Sequence, residues 1–203
     1  MSTPVGSVVS VRAFPVKSMD AAPLAGARVL RAGVQDDRGW AVVDGSGQVV
    51  TARTDDVLRT VVAAAGPDGP VLTVPGAPAP VHGAAADDAL STLLGRAVRV
   101  QAGEAFTEVA PVHLVSRQAI ARGHEQHAED DGGECPCSVE EPRANLVLEL
   151  DGSELETSWV GVDLVVGGAT LRVSKAPRHC LGVYADVLVE GDVAEGDEAV
   201  LLR

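Results

Sequence analysis

Cys180 has the neighbours that chemistry at sulfur needs. It follows Arg178 and His179 in the run Ala176-Pro177-Arg178-His179-Cys180, and cations beside a thiol favour the thiolate, the form that binds a soft metal or takes part in sulfur transfer. Without such neighbours a single cysteine reads as small core filler on a strand. The remaining two cysteines, Cys135 and Cys137, share a polar, acidic stretch with His124 and His127. Those four side chains are of the types that hold zinc tetrahedrally. The single residue between the cysteines is tighter than the usual spacing of two to four, which favours a polar loop over a pocket entrance instead. Three cysteines in 203 residues argue against a disulfide-stapled secreted fold.

The formal net charge of -13 repels nucleic acid unless a concentrated basic face offsets it, and no basic run of that kind occurs. The few cations instead fall inside short motifs, where a handful of Lys and Arg side chains can hold an isolated phosphate. No apolar stretch is long enough for a membrane span, and the start lacks a basic region followed by an apolar one. A cytoplasmic protein with no membrane partner is expected.

The elements that must position these residues are mostly strands. Val8, Val9, Val11 and Phe14, then Ala27, Val29 and Leu30, read as the first two. Trp40 to Val43 and Val49-Val50 flank the turn Asp44-Gly45-Ser46-Gly47 and predict a hairpin. Thr54 or Asp55 is placed to cap a helix carrying Val57, Leu58, Val61 and Val62. Leu90, Leu93 and Leu94 share a face of a second helix stopped by Gly95. Val98 and Val100 begin another strand, and the patternless stretch 102–110 suggests a boundary, giving domains 1–105 and 106–203. Beyond it, Val112, Leu114 and Val115 lead to Ser116, a cap for a short helix to about Ala121, and 123–142 reads as a long loop. Strands then follow at 146–148, 162–166, 171–173 and 199–202, with a hairpin turn at Gly167-Gly168. The expected fold class is mainly β: a β-barrel, with an N-terminal β-barrel-like subdomain and a few short helices.

Seven short motifs now stand in order: Phe14-Pro15-Val16-Lys17-Ser18, Asp37-Arg38-Gly39-Trp40, Thr51-Ala52-Arg53, Leu114-Val115-Ser116, Arg143-Ala144-Asn145, Arg178 with Cys180 and Asp186, and Gly196-Asp197. This series resembles the MOSC family, in which the corresponding elements are YPVKS, DRxW, TAR, a strand-to-helix serine, RPN, RCxxxxxD and a closing GD turn. The resemblance covers nearly the whole chain. The chain departs from the pattern at Ala144 in place of Pro, at the inserted His179, and at Val183-Tyr184 and Ala89, where the family often has Thr and Trp.

The resemblance implies a molybdenum cofactor, molybdopterin, whose metal is bonded by the Cys180 thiolate. Lys17, Ser18, Arg38, Arg53, Ser116, Arg143, Asn145 and Arg178 are the carried-over candidates to hold the pterin and its phosphate. Arg53 has a structural ion pair as its alternative. Asp186, the second candidate catalytic residue, either faces the cofactor and substrate pocket or caps a turn. The implied activity is oxidoreduction, the removal of oxygen from N-hydroxylated small molecules, with electrons from a separate reductase, since no iron-sulfur spacing is present. The alternatives are sulfur transfer through a Cys180 persulfide, and a carrier that binds and protects the cofactor.

Overall fold

The structure, a computed structural model, describes residues 1–103, 110–129, 142–177 and 181–203, the side chains of 124–129 excepted. In chain order, the first half contains β1 (Ser2–Val11), β2 (Asp20–Ala21), β3 (Gly26–Leu30), β4 (Gly33–Val34), β5 (Trp40–Asp44), β6 (Val49–Val50), β7 (Val62–Ala64), β8 (Val71–Thr73), α1 (Gly83–Leu94) and β9 (Val98–Ala102). The second half contains β10 (Val112–Ser116), α2 (Arg117–Glu129), β11 (Leu146–Leu150), β12 (Asp163–Val166), β13 (Ala169–Lys175), β14 (Val183–Val189), β15 (Gly191–Ala194) and β16 (Glu198–Leu202). Single 3-10 turns lie at Asp56–Thr60 and Glu156–Trp159. The protein is therefore mainly β, as expected from its Val-rich composition.

The chain divides into two compact units with interleaved residues. The barrel unit comprises Met1–Arg12, Pro23–Gln35 and Val109–Arg203; the second unit comprises Ala13–Ala22 and Asp36–Glu108. A single cut at 105 was the sequence expectation. The interleaving arises because β1 pairs antiparallel with β11 and β16, and β3 with β15, so two N-terminal segments belong to C-terminal sheets.

In the barrel unit seven strands close in the order β1-β11-β10-β14-β13-β12-β16, and a small sheet runs β15-β3-β4. Closure removes the exposed sheet edges that would otherwise pair with other chains. Alternation fills the interior: Ala169, Leu171 and Val173 of β13 are buried while Arg172 between them is exposed, and Leu146, Leu148 and Leu150 of β11 repeat the pattern. The hairpin expected at Gly167-Gly168 joins β12 to β13. β10 differs, with all five of its residues buried; it also forms the barrel's one parallel pairing, with β11.

The second unit has two three-stranded sheets, β2-β7-β8 and β6-β5-β9, with the core built from Val16, Met19, Val42, Leu58, Leu72, Ala86 and Leu90. The hairpin of β5 and β6 and the helix ending at Gly95 match the sequence reading. Gly95 has φ 66°, a left-handed stop that costs glycine little.

Two local expectations are corrected. The helix read at 54–62 is only the 3-10 turn Asp56–Thr60, because Val62 is drawn into β7, whose partners are β2 and β8. Asp55 makes no side-chain cap there and binds Arg96 instead. Finally, α2 continues to Glu129, so 123–129 is helix and not loop. Among the described residues no helix is long and apolar enough to cross a membrane.

Candidate functional site

The second unit ties its two cation-bearing motifs together through the backbone. The Arg38 N–H donates to the Phe14 carbonyl at 2.7 Å, the Trp40 N–H to the Pro15 carbonyl at 3.0 Å, and the Lys17 N–H to the Trp40 carbonyl at 2.8 Å. Val16 and Trp40 form a parallel bridge. Asp37 adds a side-chain clamp, accepting the Phe14 N–H at 2.7 Å through Oδ1 and Arg38 Nη1 at 2.5 Å through Oδ2. The Arg38 guanidinium also lies over the Phe14 ring, 5.5 Å from its centroid, a geometry with cation–π attraction. Both charged side chains are shielded, at 18% exposure for Arg38 and 3% for Asp37.

Backbone strain collects at this corner. The described non-glycine residues with positive φ are Ser18 (70°), Asp36 (63°) and Arg38 (51°), all in or beside the two motifs. A left-handed L-residue costs on the order of 1–2 kcal/mol, a cost borne mostly where the surroundings impose it and often at ligand-binding sites. The corner holds Lys17, Ser18 and Arg38 within one locked backbone. Arg53 belongs to the same unit but joins none of these bonds; it is exposed in the turn 51–54, and the ion pair of that turn is made by Arg96 with Asp55. This pairing holds the Asp55 carboxyl below its usual range.

In the barrel unit, Ser116 sits at the β10-to-α2 junction with its side chain fully buried. Its hydroxyl donates to Glu156 Oε2 at 2.5 Å and accepts the Ala119 N–H at 3.0 Å, while its own N–H donates to Glu156 Oε1 at 3.0 Å. The serine thus caps α2, and a buried carboxylate holds the cap. Asn145 is likewise built into the backbone: Oδ1 accepts the His113 N–H at 3.1 Å and Nδ2 donates to the Arg12 carbonyl at 3.3 Å. Arg143 is half-buried two residues before it. Asp186 is exposed on the outer face of β14, opposite Arg172 in register. Arg178 and Cys180 lie outside the described residues, as do Cys135 and Cys137; the positions of His124 and His127 fall within α2. Among the described residues no three His, Cys, Asp or Glu side chains are grouped to hold a metal.

Glu156, His113 and Asp37 were not singled out from sequence. Asp37 carried a signal, its place beside Arg38 in a motif. His113 carried a weaker one, a polar residue inside an apolar strand run. Glu156 carried none, because a buried carboxylate and its solvated neighbour Glu154 look alike in a sequence. An open depression of the barrel unit, about 570 Å³, is lined by residues including Gly26, Arg28, Gly167, Gly168, Asp192 and Asp197; none of the candidate residues lines it.

A family model described as the MOSC N-terminal beta barrel domain matches residues 5–111. A solved structure, the YUAD protein from Bacillus subtilis, is 12% identical and aligns over 99% of this chain and 96% of its own, with a TM-score of 0.47. No curated protein matches this chain.

Proposed function

This chain belongs to the MOSC family, and from that premise we propose that it binds a molybdenum cofactor through the Cys180 thiolate and reduces N-hydroxylated small molecules. The observation that carries the reading is the strained, backbone-locked corner holding Lys17, Ser18 and Arg38. Its donor set fits a phosphorylated pterin, since a dianion is best held by an Arg fork, a Lys point charge and hydroxyl or backbone donors. Preorganisation matters as much as charge: a backbone already fixed in the left-handed region loses little further freedom when a ligand is bound.

When bound, the cofactor supplies two-electron redox chemistry at molybdenum. The chain's own residues have separable tasks. Lys17 and Arg38 hold the phosphate by charge, and Asp37 keeps the Arg38 fork in one orientation. Arg143 is the candidate cation of the barrel unit. Cys180 supplies one thiolate to the metal. Ser116 and Asn145, engaged with Glu156, Ala119, His113 and Arg12, are better explained as the scaffold that shapes the candidate site. Electrons come from a separate reductase, and the substrate is a small molecule.

The test is metal analysis with detection of a fluorescent oxidised pterin, on the parent protein and on Cys180→Ala. Molybdenum in the parent and its loss in the variant are expected. Cofactor-loaded parent protein given a reduced dye should convert a benzamidoxime-type compound to its amidine. Equal molybdenum in both proteins overturns the ligand assignment. Loaded protein that turns over no N-hydroxylated compound, yet accepts sulfur onto Cys180 from a cysteine desulfurase, returns the reading to sulfur transfer. Charge removal at Lys17, Arg38 or Arg143 should cost about 1.5–3 kcal/mol of cofactor affinity each.

A further inference from the structure

The tripeptide Asp-Gly-Ser occurs twice in the chain, at Asp44-Gly45-Ser46 and at Asp151-Gly152-Ser153. In an unfolded peptide the two copies share one local chemistry. An aspartate before glycine is open to attack on its side-chain carboxyl by the glycine main-chain nitrogen, because no Cβ on the glycine hinders the approach. Attack needs freedom to bring the two atoms to about 3–3.5 Å, and a carboxyl not committed elsewhere. Gly45 and Gly152 are alike in having open space where a Cβ would stand, so any difference lies with the aspartates.

Asp44 is committed. Its Oδ1 accepts the Ser46 hydroxyl at 2.6 Å, the Ser46 N–H at 2.8 Å and the Gln48 N–H at 3.0 Å, an arrangement that fastens the side chain over its own hairpin. The Ser46 hydroxyl, and next the Gln48 N–H, also hold the Asp44 carboxyl below its usual range, and the ionised form is the poorer electrophile. Asp151 lacks such partners. It lies with Gly152 and Ser153 in an exposed bend outside any helix or strand, and among the described residues its carboxylate meets no hydrogen-bond donor and no cation. The main chain before it is fixed: the Asp151 N–H donates to the Val5 carbonyl at 3.0 Å, and Gln118 grips Leu150, accepting its N–H at 3.2 Å and donating to its carbonyl at 3.0 Å. Freedom begins at the Asp151 side chain. A third pair, Asp68-Gly69, has its nucleophile engaged, because the Gly69 N–H donates to the Gly66 carbonyl at 3.4 Å and the Trp40 ring lies 3.3 Å from where a Gly69 Cβ would stand.

We propose that Asp151 is a modification site of the folded protein, at which the side-chain carboxyl closes on the Gly152 nitrogen to a succinimide that opens to isoaspartate. A bond forms between Asp151 Cγ and the Gly152 nitrogen, a C–O bond at Cγ breaks, and the hydroxyl leaves with the amide proton as water. Water then adds to either carbonyl of the five-membered imide. One opening restores aspartate; the other routes the main chain through the β-carbon and frees the α-carboxylate. No oxidant or reductant takes part, and the product has the mass of the parent. That exposed α-carboxylate is the group methylated by an isoaspartyl carboxyl methyltransferase using S-adenosylmethionine, so a repair enzyme of this class is the partner the site fits. The chemistry is independent of the cofactor bound elsewhere in the chain.

The experiment incubates the full folded chain for weeks at neutral pH and physiological temperature. Isoaspartate is then located by peptide mapping with electron-transfer fragmentation and quantified by enzymatic methyl transfer from labelled S-adenosylmethionine. Asp131-Gly132, which lies outside the described residues, is mapped in its own peptide. Isoaspartate at Asp151 should accumulate roughly tenfold faster than at Asp44, the factor set by a carboxylate hydrogen bond that must break before attack, and several-fold faster than at Asp68. In urea, where the two Asp-Gly-Ser copies are equivalent, the rates at Asp44 and Asp151 should agree within about two-fold. Ser46→Ala should raise the rate at Asp44 several-fold in the folded protein. Asp151→Glu, whose longer side chain must close a six-membered ring, should abolish the methylation of that peptide. Equal rates at Asp44 and Asp151 in the folded protein overturn the inference, as does a difference that persists unchanged in urea.

Discussion

Replacing Ser116 with Ala should destabilise the cofactor-free protein by about 2–4 kcal/mol, from two bonds made by one hydroxyl. Its acceptance of the Ala119 N–H is a helix cap, worth about 1 kcal/mol. Its donation to Glu156 Oε2 at 2.5 Å supports a fully buried carboxylate, and losing a hydrogen bond to a charged group costs about 1.5–3 kcal/mol. The two terms share an atom and do not simply add. For a chain of this length the midpoint of thermal unfolding should fall by roughly 5–15 °C. Urea unfolding at neutral pH, followed by circular dichroism without cofactor, is the assay. Pairing Ser116→Ala with Glu156→Leu should recover little of the loss, because the backbone N–H of position 116, which donates to Glu156 Oε1, and the Ala119 N–H are then both left without these acceptors. A loss below about 0.5 kcal/mol in Ser116→Ala, combined with loss of pterin binding, would refute the structural role and return Ser116 to the cofactor.

Ser18→Gly should leave stability within about 0.5 kcal/mol of the parent, since relief of a residue at φ 70° offsets glycine's extra unfolded-state entropy; Ser18→Val should lose at least about 1 kcal/mol in the same urea assay. Gly182→Ala should cost about 2 kcal/mol or more, because its Cβ meets the Leu114 carbonyl oxygen at 2.2 Å and its φ is +86°; a variant as stable as the parent would mean that the turn is not as described. Asp55, with its carboxyl held below the usual range by Arg96, stabilises the fold above the unfolded carboxylate pKa, and that contribution disappears as the pH falls through the lower folded value. Stability curves of the parent and Asp55→Asn should therefore converge in acid and separate towards neutrality, and a difference that grows in acid would contradict the pairing.

Patterns that depend on near neighbours were legible in the sequence. The hairpin of β5 and β6 followed from Asp44-Gly45-Ser46-Gly47, the end of α1 from Gly95, and the β12–β13 hairpin from Gly167-Gly168, because turn geometry and side-chain alternation are set over a few residues. The motif series was legible too, and the match over residues 5–111 bears out the family that it suggested. Competition between distant segments was not legible. Residues 54–62 carry apolar spacing suited to a helix, yet Val62 joins β7 because β2 and β8 offer it backbone partners, and tertiary pairing overrides a weak local preference. The single cut near 105 assumed that sequence neighbours stay together, whereas β1 and β3 belong to sheets completed by the far end of the chain.

The candidate site divides in the same way. Residue types and their order selected Lys17, Ser18, Arg38, Ser116, Arg143 and Asn145, but residue type does not reveal what a polar group will be bonded to. Only the tertiary structure sets Ser116 against Glu156, turns Asn145 into a clamp on His113, and brings the His113 ring to Leu181 across 68 positions of sequence. A buried polar side chain must find its partner in three dimensions, and whether that partner is a backbone carbonyl, a carboxylate or a ligand is decided when the strands close around it.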